Sequence, residues 1–159
     1  MLPRTRDCVW PRAKGTLLGI GTSALDQRRS RVLIIDDNEA DLFLVKESLR
    51  REGLDCEIVS LTDGAQAIAF LCGADANRPD CIVLDINLPK IRGDQVLKAI
   101  REHPPMADVP ILVWSSSLRT ETESVKGQSG PTLFMEKPTD LRAFLAIGAK
   151  IRSLLDGTA

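Results

Sequence analysis

From Arg31 onward the chain alternates short aliphatic runs with longer amphipathic stretches, and no other feature restricts its fold as strongly. Val32–Ile35 is a β-branched run ending in acids, the pattern of a strand buried on both faces. Across Glu39–Glu52, Leu42, Val45 and Leu49 share one face, which predicts a helix closed by Gly53. Cys56–Ser60 reads as a second strand. Asp63 then stands where it can cap a short helix burying Ala67, Ile68, Leu71 and Cys72. A third strand over Cys81–Leu84 precedes a helix over Asp94–Glu102 that carries Val96, Leu97 and Ile100. Ile111–Trp114 and Leu133–Met135 are the fourth and fifth strands. A last helix over Asp140–Leu155 sets Leu141, Phe144, Leu145, Ile151 and Leu155 on one side. Connections this short allow only right-handed crossovers, so the expected fold is α/β: a doubly wound, five-stranded parallel sheet with helices on both faces.

Composition agrees and removes several functions. The 159 residues, 43% hydrophobic and 27% charged, suit one domain with a buried core. A net charge of −1 gives no bulk attraction to nucleic acid or membrane. No apolar run approaches the roughly 18 residues of a spanning helix. The single histidine, His103, excludes a histidine-cluster zinc site, and it falls at a helix end where the dipole favours a cation. Cys8, Cys56, Cys72 and Cys81 are scattered with no C-x-x-C pair, the usage of reduced thiols in a cytoplasmic protein. Residues 1–30 carry a balance of +4 against −5 for the remainder, and they lack a sustained apolar period. Arginines ahead of Thr16–Leu25 suggest a secretory signal, but two glycines and several hydroxyls dilute that core. The expectation is a disordered N-terminal extension over 1–30 and a folded domain over 31–156.

Ligands of such sheets sit beyond the carboxyl ends of the strands. Asp36 and Asp37 follow strand one, Asp85 strand three, Ser115 strand four and Lys137 strand five. Each has an ordinary reading alone: Asp36-Asp37-Asn38 as a helix cap, Asp85 as a loop acid, Ser115-Ser116-Ser117 as a solvated turn, Lys137 as a surface lysine. Together they converge on one crevice. Three carboxylates held close repel by several kcal/mol, on the order expected at an intermediate dielectric, and one lysine does not offset that. A hard, partly hydrated dication does, which points to Mg²⁺ with open positions for phosphoryl oxygens.

With these residues in place, 31–155 resembles a response-regulator receiver domain, the flavodoxin-like phosphoacceptor module of two-component signalling. Asp36-Asp37 match the family's metal-binding acids, and Asp85 within Val83-Leu84-Asp85-Ile86-Asn87-Leu88-Pro89 matches its phosphorylated aspartate. Gly93 falls at the family's loop glycine, Ser115 at its switch hydroxyl and Phe134 at its switch aromatic. Lys137-Pro138 matches the lysine-proline pair, whose peptide bond the family usually holds cis. The resemblance implies that Asp85 takes a phosphoryl group from a sensor histidine kinase. It also implies that Asp37, Asp85 and the carbonyl of Asn87 ligate Mg²⁺, with Asp36 acting directly or through water. Lys137 then pairs with the phosphoryl oxygens, Ser115 bonds the new group, and Phe134 turns inward. Such a protein is not an enzyme toward other substrates; it promotes only its own phosphorylation and dephosphorylation.

After the last helix only Gly157, Thr158 and Ala159 remain, so the expected output is contact with a downstream protein target. Asp37-Asn38-Glu39-Ala40-Asp41 and Trp114-Ser115-Ser116-Ser117 are similar in wording to single-domain regulators paired with bacterial phytochromes. A homodimer through the fourth and fifth α/β elements comes with that likeness. The family also expects a helix between Ser115 and Leu133. There Thr120, Thr122 and Ser124 disfavour one, and Gly127, Gly130 and Pro131 end it early. Three other readings fit the sequence less well. A haloacid-dehalogenase-type phosphatase needs a second aspartate where Asn87 stands. A flavodoxin needs a hydroxyl- and glycine-rich phosphate loop where Asp36-Asp37 stand. A receiver-like interaction module that is never phosphorylated normally lacks a key position, and none is lost here.

Overall fold

The computed structural model describes residues 29–73, 78–116 and 130–157. The elements run β1 (Ser30–Ile35), α1 (Glu39–Arg51), β2 (Cys56–Leu61), α2 (Gly64–Leu71), β3 (Cys81–Asp85), α3 (Gly93–Glu102), β4 (Ile111–Ser115), β5 (Thr132–Glu136), α4 (Leu141–Leu145) and α5 (Ile147–Leu155). All four strand pairings are parallel, in the order β2-β1-β3-β4-β5. Chain direction across the sheet reverses between β1 and β3, so a crevice opens between their carboxyl ends.

The two-residue period of a strand sorts side chains onto two faces. Leu33, Ile35, Ile82, Leu84, Ile111 and Val113 face α2 and α3, where Ala67, Leu71, Val96, Leu97 and Ile100 complete one core. Val32, Ile34, Val83, Leu112 and Trp114 face the other way, onto Leu42, Val45 and Leu49 of α1 and Phe144, Ile147, Ile151 and Leu154 of the last two helices. Both faces are therefore covered, and the continuous aliphatic runs in β1, β3 and β4 follow from that.

Helix ends match the residues that cap them. Asn38 accepts the Ala40 N–H at 3.0 Å, and Asp63 accepts the Gln66 N–H at 2.8 Å. Gly53 closes α1 with φ +66°, a left-handed conformation that glycine adopts without strain. His103 ends α3. Cys56, Cys72 and Cys81 are free thiols, and burial pushes Cys81 up to about 12, which keeps it protonated and unreactive.

Three expectations need correction. The last helix is not continuous: at Ala146 the N–H reaches both Arg142 and Ala143 carbonyls, and α4 gives way to α5. Its buried stripe is Phe144, Ile147, Ile151 and Leu154, spaced three, four and three apart. Leu141 is 59% exposed although it stands three residues before Phe144, and Leu155, four after Ile151, is half-buried at the stripe's edge. The Lys137–Pro138 bond is also not cis: no cis peptide occurs among the described residues. Of the extension expected over 1–30, Ser30 instead begins β1, while 1–28 with Cys8, 117–129 of the helix expected between Ser115 and Leu133, and 158–159 lie outside the described residues.

Candidate functional site

The carboxyl ends of β1, β3, β4 and β5 deliver Asp36, Asp85, Ser115 and Lys137 to one pocket. Asp36, the residue after β1, is fully buried; its N–H bonds the Leu61 carbonyl of β2 at 3.0 Å. Its Oδ1 accepts the Asn38 N–H at 2.8 Å. The cap and the acids of Asp36-Asp37-Asn38 thus fall on different residues. Asn38 caps α1, which leaves Asp36 and the exposed Asp37 free to face the crevice.

Asp85 ends β3, with its side chain 4% exposed. Its Oδ1 accepts the Asn87 N–H at 3.0 Å, and its Oδ2 accepts from Lys137 at 2.7 Å, so both oxygens are oriented. The loop after it turns sharply under Gly93. A Cβ there would lie 2.1 Å from the Asp85 carbonyl oxygen, and the Gly93 N–H bonds the Ile86 carbonyl at 2.9 Å. Only glycine permits that approach.

Ser115 is buried at the end of β4, and its carbonyl accepts the Lys137 N–H at 2.8 Å, which locks the two strand ends together. Phe134 is half-buried on β5, opposite Val113 in register, and packs against the α2 and α3 core. Asn87 is exposed beside Asp85.

Lys137 is the hub. Its ammonium donates to Asp36 Oδ2 at 2.8 Å, Asp41 Oδ2 at 2.9 Å and Asp85 Oδ2 at 2.7 Å. The Trp114 ring centroid lies 4.9 Å from the same nitrogen, within cation–π range. Burial opposes the lysine's charge, yet the bonds to Asp36, Asp41 and Asp85 outweigh it and raise the pKa. Burial dominates at Asp36 instead, raising it to about 6 against the pull of Lys137 and the Asn38 N–H. Asp41 is the residue the sequence reading missed. An acid in the first turn of a helix is so common that it carries no signal of its own.

Asp36, Asp37 and Asp85 each offer a carboxylate oxygen, and these atoms lie within 4.8 Å of one another. The donor set is all carboxylate oxygen, which suits a hard divalent cation. Like charges this close favour a further cation beside the one ammonium. The residues therefore fit a divalent metal, and fit it next to the buried Asp85 carboxylate and a fixed ammonium.

A doubly wound sheet with an acid trio, a hydroxyl and a lysine at its carboxyl edge defines the class of phosphoacceptor domains. The sequence matches the response regulator receiver domain over residues 32–147, and the chain belongs to that family. It is 38% identical over 90 residues to response regulator Rcp1 of Synechocystis sp., covering 54% of this chain and 61% of Rcp1. It is 34% identical over 125 residues to the transcriptional regulatory protein PrrA of Mycobacterium tuberculosis, covering 79% of this chain but 49% of PrrA. The chain thus spans about half to three-fifths of the curated relatives it matches. Among solved structures, the phosphorylated cyanobacterial phytochrome response regulator RcpA superposes with TM-score 0.74 at 30% identity, covering 83% of this chain and 97% of RcpA. The Mn²⁺-bound form of Rcp1 gives 0.70 at 29% identity, covering 78% and 92%.

Proposed function

We propose that this chain is a phosphoacceptor response regulator whose nucleophile is Asp85. The observation that carries the reading is the contact of Lys137 with Asp85 at 2.7 Å inside an acid trio able to hold a dication. Asp85 attacks the phosphorus of a phosphohistidine on a sensor histidine kinase. The phosphorus–nitrogen bond breaks with its electron pair leaving on the imidazole, and an acyl phosphate forms on Asp85. Asn87 and Lys137 hold the two Asp85 oxygens, so the carboxylate is oriented before the donor arrives.

Asp36, Asp37, Asp85 and the Asn87 carbonyl would hold Mg²⁺, which supplies charge neutralisation for the phosphoryl oxygens. Lys137 then turns one N–H from Asp85 to the phosphoryl group, and Ser115 supplies a hydroxyl to another oxygen. Its carbonyl bond to Lys137 couples the two movements. Phe134 responds from β5, and the altered surface contacts a downstream protein target. The likeness to RcpA favours a phytochrome-like kinase as donor. A homodimer and a cytoplasmic setting belong to the same proposal, and a net charge of −1 gives the chain no bulk attraction to nucleic acid. The folded unit takes in Ser30 at the start of β1, and its chemistry is confined to its own phosphorylation and dephosphorylation.

Incubation with acetyl phosphate and Mg²⁺ tests this. One phosphoryl group should be added, acetate should be released, and Asp85→Asn should abolish labelling. Labelling of the Asn variant at the wild-type level, or undiminished labelling in EDTA, would refute the assignment. No uptake by the wild type would favour the phosphorylation-independent interaction module.

A further inference from the structure

A lysine ammonium has three N–H donors, and in this pocket each has one carboxylate: Asp36, Asp41 and Asp85. Two of those acids belong to the trio that fits a metal; Asp41 does not. It comes from a different element, the first turn of α1, three residues after the Asn38 cap that fixes where the helix begins. The positive end of α1 favours its charge there, and its side chain is only 15% exposed. A metal ion and a phosphoryl group would draw Asp36 and Asp85 away from Lys137 together. Asp41 is the one acceptor left unchanged by the reaction.

From this geometry we infer that Asp41 is a positioning residue for Lys137. It tethers the ammonium to α1 while the other two contacts are exchanged, so that the freed N–H meets the phosphoryl oxygen rather than solvent. The Trp114 face, 4.9 Å from the nitrogen, supports the same position from the side of the core. A tether of this kind acts on the reacting complex and not on donor capture, because Asp41 reaches the reaction only through Lys137.

The inference rests on the phosphoacceptor reading, and the experiment separates the two, since Asp85→Asn tests that reading alone. Acetyl phosphate and Mg²⁺ are supplied to the full chain carrying Asp41→Ala or Asp41→Asn. Asp41→Ala should lower the maximal phosphorylation rate about tenfold. Its KM for acetyl phosphate should stay within about twofold, and Mg²⁺ affinity should not weaken. Asp41→Asn keeps an acceptor oxygen and should recover most of the rate. In a Lys137→Ala background, Asp41→Ala should have no further effect on rate. Metal-free protein gives an independent readout: in urea the destabilisations by Asp41→Ala and Lys137→Ala should be clearly non-additive. The inference is overturned if Asp41→Ala phosphorylates as fast as wild type or faster, which is what relief of acid repulsion alone would give. Equal slowing by Asp41→Ala with and without Lys137, or additive urea effects, would overturn it as well.

Discussion

Gly93 holds the loop after Asp85 against the Asp85 backbone, and replacing it by alanine should damage phosphorylation more than folding. The added Cβ would stand 2.1 Å from the Asp85 carbonyl oxygen and 2.7 Å from the Ile86 Cα. Ordinary contact begins at 3.4 Å, so the loop and the end of β3 must separate by about 1.3 Å. Both obstructing atoms are backbone, so no side chain can swing aside. Overpacking of this kind costs about 1–3 kcal/mol of stability. Displacing a reacting group by about 1 Å costs on the order of a hundredfold in rate. Asp85 would be carried off its 2.7 Å contact with Lys137, so Gly93→Ala should still melt cooperatively yet phosphorylate about a hundredfold more slowly. Gly53→Ala is the control: it too adds a methyl, at φ +66°, but into open space far along the chain from the site. It should lose about 1 kcal/mol of stability and keep the wild-type rate. Acetyl phosphate labelling with a parallel thermal melt decides the matter. A Gly93→Ala protein with the wild-type rate would refute the claim that this loop positions the nucleophile.

Two further expectations concern stability. Arg101 donates to the Ala107, Val109 and Pro131 carbonyls and the Thr132 hydroxyl, all at 2.8–2.9 Å. Arg101→Met should cost about 2–4 kcal/mol in urea by orphaning those acceptors, and a loss under about 1 kcal/mol would contradict that role. Burial opposes the charge of Asp63, but the Lys90 ammonium at 2.6 Å and the Gln66 N–H outweigh it and hold the carboxyl below the usual range. A depressed folded-state pKa contributes stability that is full above the unfolded value of about 3.9 and is lost as pH falls through the folded value. The stability gap between wild type and Asp63→Asn should therefore close on acidification below about pH 4, and a gap constant down to pH 2 would contradict it.

The fold was legible because β1, β3 and β4 are buried on both faces and so write themselves as unbroken aliphatic runs. The pocket was legible because the fold delivers strand ends to one edge, so Asp36, Asp85, Ser115 and Lys137 needed no distance information to be grouped. Asp41 was not legible for the converse reason: it sits on a helix, and helix position alone does not say that a lysine 96 residues away will lean on it. The last helix was misread because too many of its residues are apolar. Leu141 and Leu155 are as hydrophobic as Ile151, and only packing against α1 and the sheet face selects Phe144, Ile147, Ile151 and Leu154. That contact is close enough that a Cβ on Gly148 would lie 2.4 Å from the Ser48 carbonyl.

The bonds of Lys137 reach Asp85, Asp41 and Asp36 across 52, 96 and 101 positions of chain. Loops of that size close late and at a large entropic cost, so the lysine joins the acids only once β5 has docked. During synthesis the acids emerge long before their counter-charge, and the ribosome must deliver β5 before they are neutralised. A nascent chain ending before Lys137 thus holds Asp85 without one of the two groups that orient it. Competence to receive a signal arrives in one step, with the last strand.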